Sequence, residues 1–188
     1  MKSVALGLAL LLPVSAFAEP LVLTLADPQP AADDVMPGLA VAYAYPNPKT
    51  LEDAQEALDE GARKGTPLKG LSYEDTTEGD LVLTASSDTK VAAAISGFIR
   101  FDEAGTFNVN VISNDGIVLS IGGQEVAYYD GVHACEPSGE QEVEVPAAGW
   151  YALEATYFQR KGTACLMMDW DVGGEMAPVP DEVFGHVE

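Results

Sequence analysis

Positive charge is scarce in this chain. Nine Lys and Arg stand against 30 Asp and Glu, for a formal net charge of −21. A surface of that sign repels nucleic acid and anionic lipid and tolerates divalent cations or high salt, so no nucleic-acid partner is expected. Histidine and cysteine are scarcer still, with two of each. His133 and His186 are far apart in sequence, and no Cys/His cluster has the spacing of a zinc site. Beyond the first residues no segment reaches the roughly 18 consecutive apolar residues that a membrane-spanning helix needs, so no membrane insertion is expected. Gly-x-Ser-x-Gly, phosphate-loop and dinucleotide signatures are all missing. Asp169 and Asp171 sit at i, i+2 on one strand face, but with 30 acidic residues such pairs arise by coincidence. The chain is therefore not expected to be an enzyme.

What is present begins with an export signal. Lys2, the apolar run Val4 to Leu12, Pro13 and then Ala16-Phe17-Ala18 before Glu19 make a secretory signal peptide over residues 1–18, cleaved near Ala18. The mature protein is expected to be periplasmic or secreted. In such a compartment Cys135 and Cys165 are expected to form a disulfide, with two free thiols as the alternative. Closing a loop of that length contributes about 3 to 4 kcal/mol in the chain-entropy model.

Residues 19–37 are rich in Ala, Pro and Asp and read as an N-terminal strand followed by an irregular lead-in. From 38 to 188 the chain reads as one domain. Leu39, Val41, Tyr43 and Tyr45 alternate with Ala40, Ala42 and Ala44, the period of a strand, and Pro46 and Pro48 stop it. One helix is expected near residues 50–64, with Thr50 as N-cap, Asp53 three residues on, and Gly65 to close it. Residues 68–79 have no clean period and read as a loop.

The rest is strand upon strand. Val91, Ala93, Ile95, Ile99 and Phe101 share a parity, with Gly97 between them as a bulge or a point of close approach. The alternation repeats at Phe107-Val109-Val111, Ile117-Leu119-Ile121, Val143-Val145, Tyr151-Leu153-Ala155-Tyr157 and Ala164-Leu166-Met168-Trp170. Ala104-Gly105, Asp115-Gly116, Gly122-Gly123, Ala148-Gly149 and Lys161-Gly162 separate these runs and read as hairpin turns. An all-β, antiparallel β-sandwich with one short helix is the predicted fold, because parallel βαβ units would need a helix at each crossover. Cys165 is out of phase with Ala164, Leu166 and Met168, so it should point away from the core. A bridge to Cys135 would then pin the segment from Gly131 to Gly139 over an outer face.

The strand Gly97-Phe98-Ile99-Arg100-Phe101, the turn Ala104-Gly105-Thr106-Phe107, then Ser113-Asn114-Asp115-Gly116 and Ile121-Gly122-Gly123-Gln124-Glu125-Val126 follow a recognisable order. So do Ala147-Ala148-Gly149-Trp150-Tyr151, Tyr157-Phe158, Gly162-Thr163-Ala164 and Met168-Asp169-Trp170. Together they resemble the protective-antigen (PA-fourteen) domain family over about half of the chain. The predicted helix and the cysteine pair are outside that pattern. The resemblance implies a β-sandwich of the kind found as non-catalytic modules in toxins, glycosidases and adhesins. In its adhesin branch two consecutive Asp residues joined by a cis peptide hold calcium, which in turn binds sugar hydroxyls. The matching positions here are Asn114 and Asp115. An amide in the first position keeps an oxygen ligand and loses a charge, which lowers calcium affinity, and Arg160-Lys161 in the second loop opposes a cation.

Two readings of Asn114-Asp115-Gly116 stand at this point, a tight hairpin or a calcium and ligand site. Tyr128 or Tyr129 can offer a ring face to a sugar, or both can pack under the tethered loop. The candidate ligand-binding residues are Asn114, Asp115, Tyr129, Asp130 and Arg160, with Asn114 and Asp115 as calcium ligands. His133 reads as a surface-loop residue. The leading functional reading is an exported carbohydrate-binding or adhesion module with a glycan or cell-envelope component as partner. The alternative is an envelope structural or protein-interaction module without a small ligand.

Overall fold

The computed structural model describes residues 19–188, so the signal peptide read at 1–18 lies outside the described residues. The strands in chain order begin with β1 (Leu21–Val22), β2 (Met36–Pro37) and β3 (Ala40–Ala44), followed by helix α1 (Leu51–Gly61). Then come β4 (Arg63–Lys64), β5 (Ser72–Tyr73), β6 (Val91–Phe101), β7 (Gly105–Asn114), β8 (Ile117–Ile121) and β9 (Gln124–Tyr129). The chain closes with β10 (Glu136–Val145), β11 (Gly149–Gln159), β12 (Cys165–Trp170), β13 (Ala177–Pro178) and β14 (Phe184–His186).

They form two sheets. One has the order β1-β10-β7-β12-β13, with β5 also on β12; the other has the order β2-β14-β6-β11-β8-β9, with β3 on β6 and β4 on β3. Every pair is antiparallel except β1 with β10. The two inner faces supply the core, and the predicted parities hold: Ile99, Val109, Val111, Ile117, Leu119, Ile121, Val143, Tyr151, Leu153, Tyr157, Leu166 and Met168 are all fully buried. Each large apolar side chain buried this way stabilises the fold by about 1.5 to 3 kcal/mol.

The turns were expected to make hairpins, and only one does. Gly122-Gly123 joins β8 to β9 within one sheet. The turns at Ala104-Gly105, Asp115-Gly116, Ala148-Gly149 and Lys161-Gly162 instead carry the chain from one sheet to the other. Turn residues and alternating strands look the same in sequence whether the partner lies beside or across, so local pattern could not separate the two. The consequence for Asn114-Asp115-Gly116 is direct: the segment is a crossover at one end of the sandwich, bonded to β11 by Asp115 N–H to Phe158 O (3.0 Å) and Phe158 N–H to Gly116 O (2.9 Å).

Gly97 is a point of close approach and not a bulge. The β6–β11 register runs unbroken from Val91 to Phe101. The opposite edge of β6 changes partner there, from β3 to β14, and a Cβ on Gly97 would lie 2.5 Å from Gly185 O.

The helix is shorter than expected. Thr50 caps it, its hydroxyl accepting from Asp53 N–H at 3.1 Å, but it ends at Gly61. Arg63 and Lys64 leave the helix to pair with Tyr43 and Ala42, so Gly65 does not close it. Leu51, Ala54 and Leu58 pack with Ala44, Ala92 and Phe158 in a second cluster outside the sandwich. That cluster explains the alanines of β3 and β6, which leave room for a helix on the outer face. Tyr45, read as inward, is exposed beyond the end of β3, and Ser72–Tyr73, read as loop, pairs with Met167 and Leu166.

Candidate functional site

One end of the sandwich gathers the polar residues that the core excludes. Asn114 ends β7, Asp115 occupies the crossover to β8, and the peptide between them is cis, the geometry that the resemblance attached to this pair. Asn114 is 6% exposed and Asp115 only 1%. Such burial requires partners. The Asp115 carboxylate accepts from two backbone N–H groups, His133 N to Oδ1 at 3.1 Å and Arg160 N to Oδ2 at 2.8 Å. Its carbonyl oxygen accepts from Ser113 Oγ and from His133 Nε2, each at 2.8 Å. Beneath them the Tyr157 hydroxyl donates to Asn114 O.

Burial raises the Asp115 carboxyl above the ordinary 3.8; the N–H groups of Arg160 and His133 and their nearby charges pull it down and offset only part of that rise. The same burial, with Asp115 beside it, pushes the Tyr157 phenol well above 10.0.

Ser113, Ser138 and His133 also meet here, with the two hydroxyls 2.6 Å apart and Ser113 Oγ 3.4 Å from His133 Nε2. Serine beside histidine suggests a nucleophile and its base. The geometry opposes that chemistry, because Nε2 faces a carbonyl oxygen that can only accept and must therefore carry the proton. A nitrogen that donates to Asp115 O cannot also take the proton of Ser113. The cluster is a hydrogen-bonded support.

His133 ties this polar end to an aromatic face. Its ring stacks on Tyr129 at a centroid distance of 3.8 Å. Tyr129 and Tyr128 are 37% and 55% exposed, so both rings reach solvent and the pair does not pack away under the tethered loop. A register shift opposite Leu119/Ser120 buries Val126 and Ala127 together, and beyond it Tyr128 and Tyr129 pair in regular register with Val118 and Ile117 at the strand end. Asp130 turns another way, its Oδ1 accepting from Leu51 N–H at 2.6 Å at the start of α1. The predicted disulfide is present between Cys135 and Cys165. Cys165 faces away from the main core, as its phase required, and is nonetheless fully buried.

The sequence pattern of the PA14 domain matches residues 38–183. The chain belongs to the PA14 domain family. Solved structures agree in fold. The PA14 domain of the MpAFP antifreeze protein superposes with TM-score 0.67 at 16% identity, over 86% of this chain and 96% of that one. A PA14 sugar-binding domain from an RTX adhesin gives TM-score 0.62 at 18% identity, over 80% and 99%. The Epithelial Adhesin 9 A domain from Candida glabrata, in complex with Galβ1-3GlcNAc, gives 0.67 at 14% identity, over 91% and 97%. No curated protein sequence matches the chain.

Whether this PA14 domain fits a calcium ion can be judged from its own atoms. Asn114 Oδ1 and Gln159 Oε1 are buried acceptors without a partner, and Arg160 Nε is a buried donor without one. Gln159 directly follows Phe158, which bonds the crossover, and Arg160 bonds Asp115 itself. Two amide oxygens and one carboxylate form an all-oxygen set, the class of ligand calcium takes. By donor type they suit a calcium ion, with Asp115 as its one fixed negative charge. Asn114, Asp115 and Gln159 would hold it, and calcium there would offer open positions to hydroxyl oxygens. Among the described residues no group of three His, Cys, Asp or Glu could hold a metal, so the amides are essential to any such site.

Gln159 was not singled out from sequence, and His133 read as a surface-loop residue. Gln159 had a signal: it continues the inward parity of Tyr151, Leu153, Ala155 and Tyr157, and a glutamine at an inward position needs a polar partner. His133 had none, because its partner lies 18 residues away across the crossover.

Proposed function

We propose that this PA14 domain is a non-catalytic carbohydrate-binding or adhesion module, exported to the periplasm or beyond, whose ligand is a glycan of a cell envelope. The observation that carries the reading is His133, which bonds Asp115 through its backbone N–H and its Nε2 and stacks on exposed Tyr129. A flat ring face and a polar, calcium-compatible end thereby belong to one surface. Pyranose rings stack on the first, and a calcium ion held at the second, with Asn114 Oδ1 among its ligands, would take sugar hydroxyls at its open positions. Sugar binding by structural relatives supports the reading.

A panel of immobilised glycans probed with and without calcium tests it. Retention on at least one glycan, weakened by chelation, is the expected result; no retention in either condition would sink the proposal.

A second reading has one specific observation in its favour. The Asp115 carboxylate is almost closed to solvent and already accepts two N–H groups, which suits a structural acceptor in a protein-interaction module. Under that reading calcium leaves the melting temperature unchanged.

A further inference from the structure

The loop at residues 130–135, between β9 and β10, lies over Asn114 and Asp115 and brings almost no apolar anchorage of its own. Val132 is 43% exposed and Ala134 is exposed. Its hold on the sandwich consists of the two bonds from His133 to Asp115, the ring stack with Tyr129, the bond from Leu51 N–H to Asp130, and the covalent bridge from Cys135 to Cys165. The bridge runs to the strand position directly opposite Asn114, since Cys165 pairs with Asn114 in the β7–β12 register. It therefore ties the loop to the strand pair that carries Asn114.

We infer that the Cys135–Cys165 disulfide is a redox latch: closed, it holds the 130–135 loop over Asn114 and Asp115, and its reduction by a dithiol releases the loop, separates His133 from Asp115 and Tyr129, and uncovers Asn114 and Asp115. The consequence for binding rests on the proposed role of Asn114 and Asp115; the opening itself does not.

The chemistry is thiol–disulfide exchange. One thiolate of the dithiol attacks Cys135 Sγ, the half-buried partner, and the S–S bond breaks with Cys165 leaving as a thiolate that takes a proton. The second thiolate of the reagent then attacks the mixed disulfide, releasing the Cys135 thiol and the cyclic oxidised dithiol. Two electrons pass from the reagent to the protein.

Release should stay local. The main core lies between the sheets and does not include Cys165, and Cys135 is not among its buried residues. Once the tether is cut, a few hydrogen bonds and one half-exposed ring stack must order a loop whose apolar side chains face water, and such segments open at low free energy.

Hydrogen exchange on the full mature chain tests this in three forms: oxidised, reduced with dithiothreitol, and Cys135→Ser with Cys165→Ser. Protection across residues 130–138 is expected to fall at least about tenfold in the latter two, while β6 and β11 keep theirs. Unchanged protection in the loop overturns the latch. Loss across β6 and β11 as well also overturns it, because the bond is then a staple of the whole fold. Terbium, a luminescent calcium substitute, added to the same samples reads access: faster uptake on reduction supports the gate, and equal rates in all three forms overturn it. Absence of terbium binding in every form counts against the calcium reading of the site, while the exchange data still decide the latch.

Discussion

The imidazole of His133 lies against the phenol ring of Tyr129, with the ring planes 24° from parallel and the centroids 3.8 Å apart. A half-exposed stack of this kind contributes little to the core and much to a surface that a sugar can approach. Tyr129→Ala should therefore lower glycan retention at least about tenfold, roughly 1.4 kcal/mol, while the melting temperature stays close to the parent's. Tyr129→Phe should keep most of the binding, since the ring face survives. Equal retention by the parent and Tyr129→Ala would remove the stack from the binding surface.

Asn114 supplies an amide where the resemblance placed a carboxylate, and its Oδ1 is buried without a partner. Asn114→Asp keeps the size and adds a charge to the set formed with Asp115 and Gln159. Tighter calcium binding should follow, and a metal that binds only the folded state raises the melting point by mass action. At millimolar calcium the variant should gain more in melting temperature than the parent, and chelation should abolish the gain. A flat response in both proteins would exclude the ion from this end of the sandwich.

Tyr157 stands beneath that site, fully buried, with its hydroxyl donating to Asn114 O. Tyr157→Phe conserves the ring and leaves a buried carbonyl without its donor. The cost should be about 1 to 3 kcal/mol, read as a lower urea midpoint with an unchanged slope. An unaltered midpoint would mean that another donor replaces the hydroxyl.

Strand positions and facing were legible because burial on one side of a strand imposes period two, and every inward set from Val91 to Trp170 follows it. The phase of Cys165 placed the disulfide by the same logic. Connectivity between the sheets was not legible: Asp115-Gly116 is turn chemistry in a hairpin and in a crossover alike. The site was half legible. Asn114, Asp115, Tyr129 and Arg160 meet through His133 and the end of β11, whereas Asp130 is engaged by the first turn of α1. His133 read as a surface-loop residue because its role depends on bonds to Asp115, 18 residues away in the crossover.

The buried phenols set the alkaline limit of the fold. Burial pushes Tyr43 from 10.0 up to about 12, although Thr84 pulls it down through its side chain and its backbone. Burial likewise holds Tyr157 well above 10.0, with Asp115 adding to the rise. Between pH 10 and about 12 the unfolded chain releases protons that the folded chain keeps. The folded state binds more protons in that window, so stability must fall as pH rises. The contribution is fully present below pH 10 and is lost as pH rises through about 12. Urea midpoints measured across this range should decline steeply. In Tyr43→Phe the decline should be shallower by up to about 1.4 kcal/mol per pH unit, the weight of one proton. The same slope in parent and variant would show that Tyr43 ionises equally in the folded and unfolded chains, and the burial argument would fail for it.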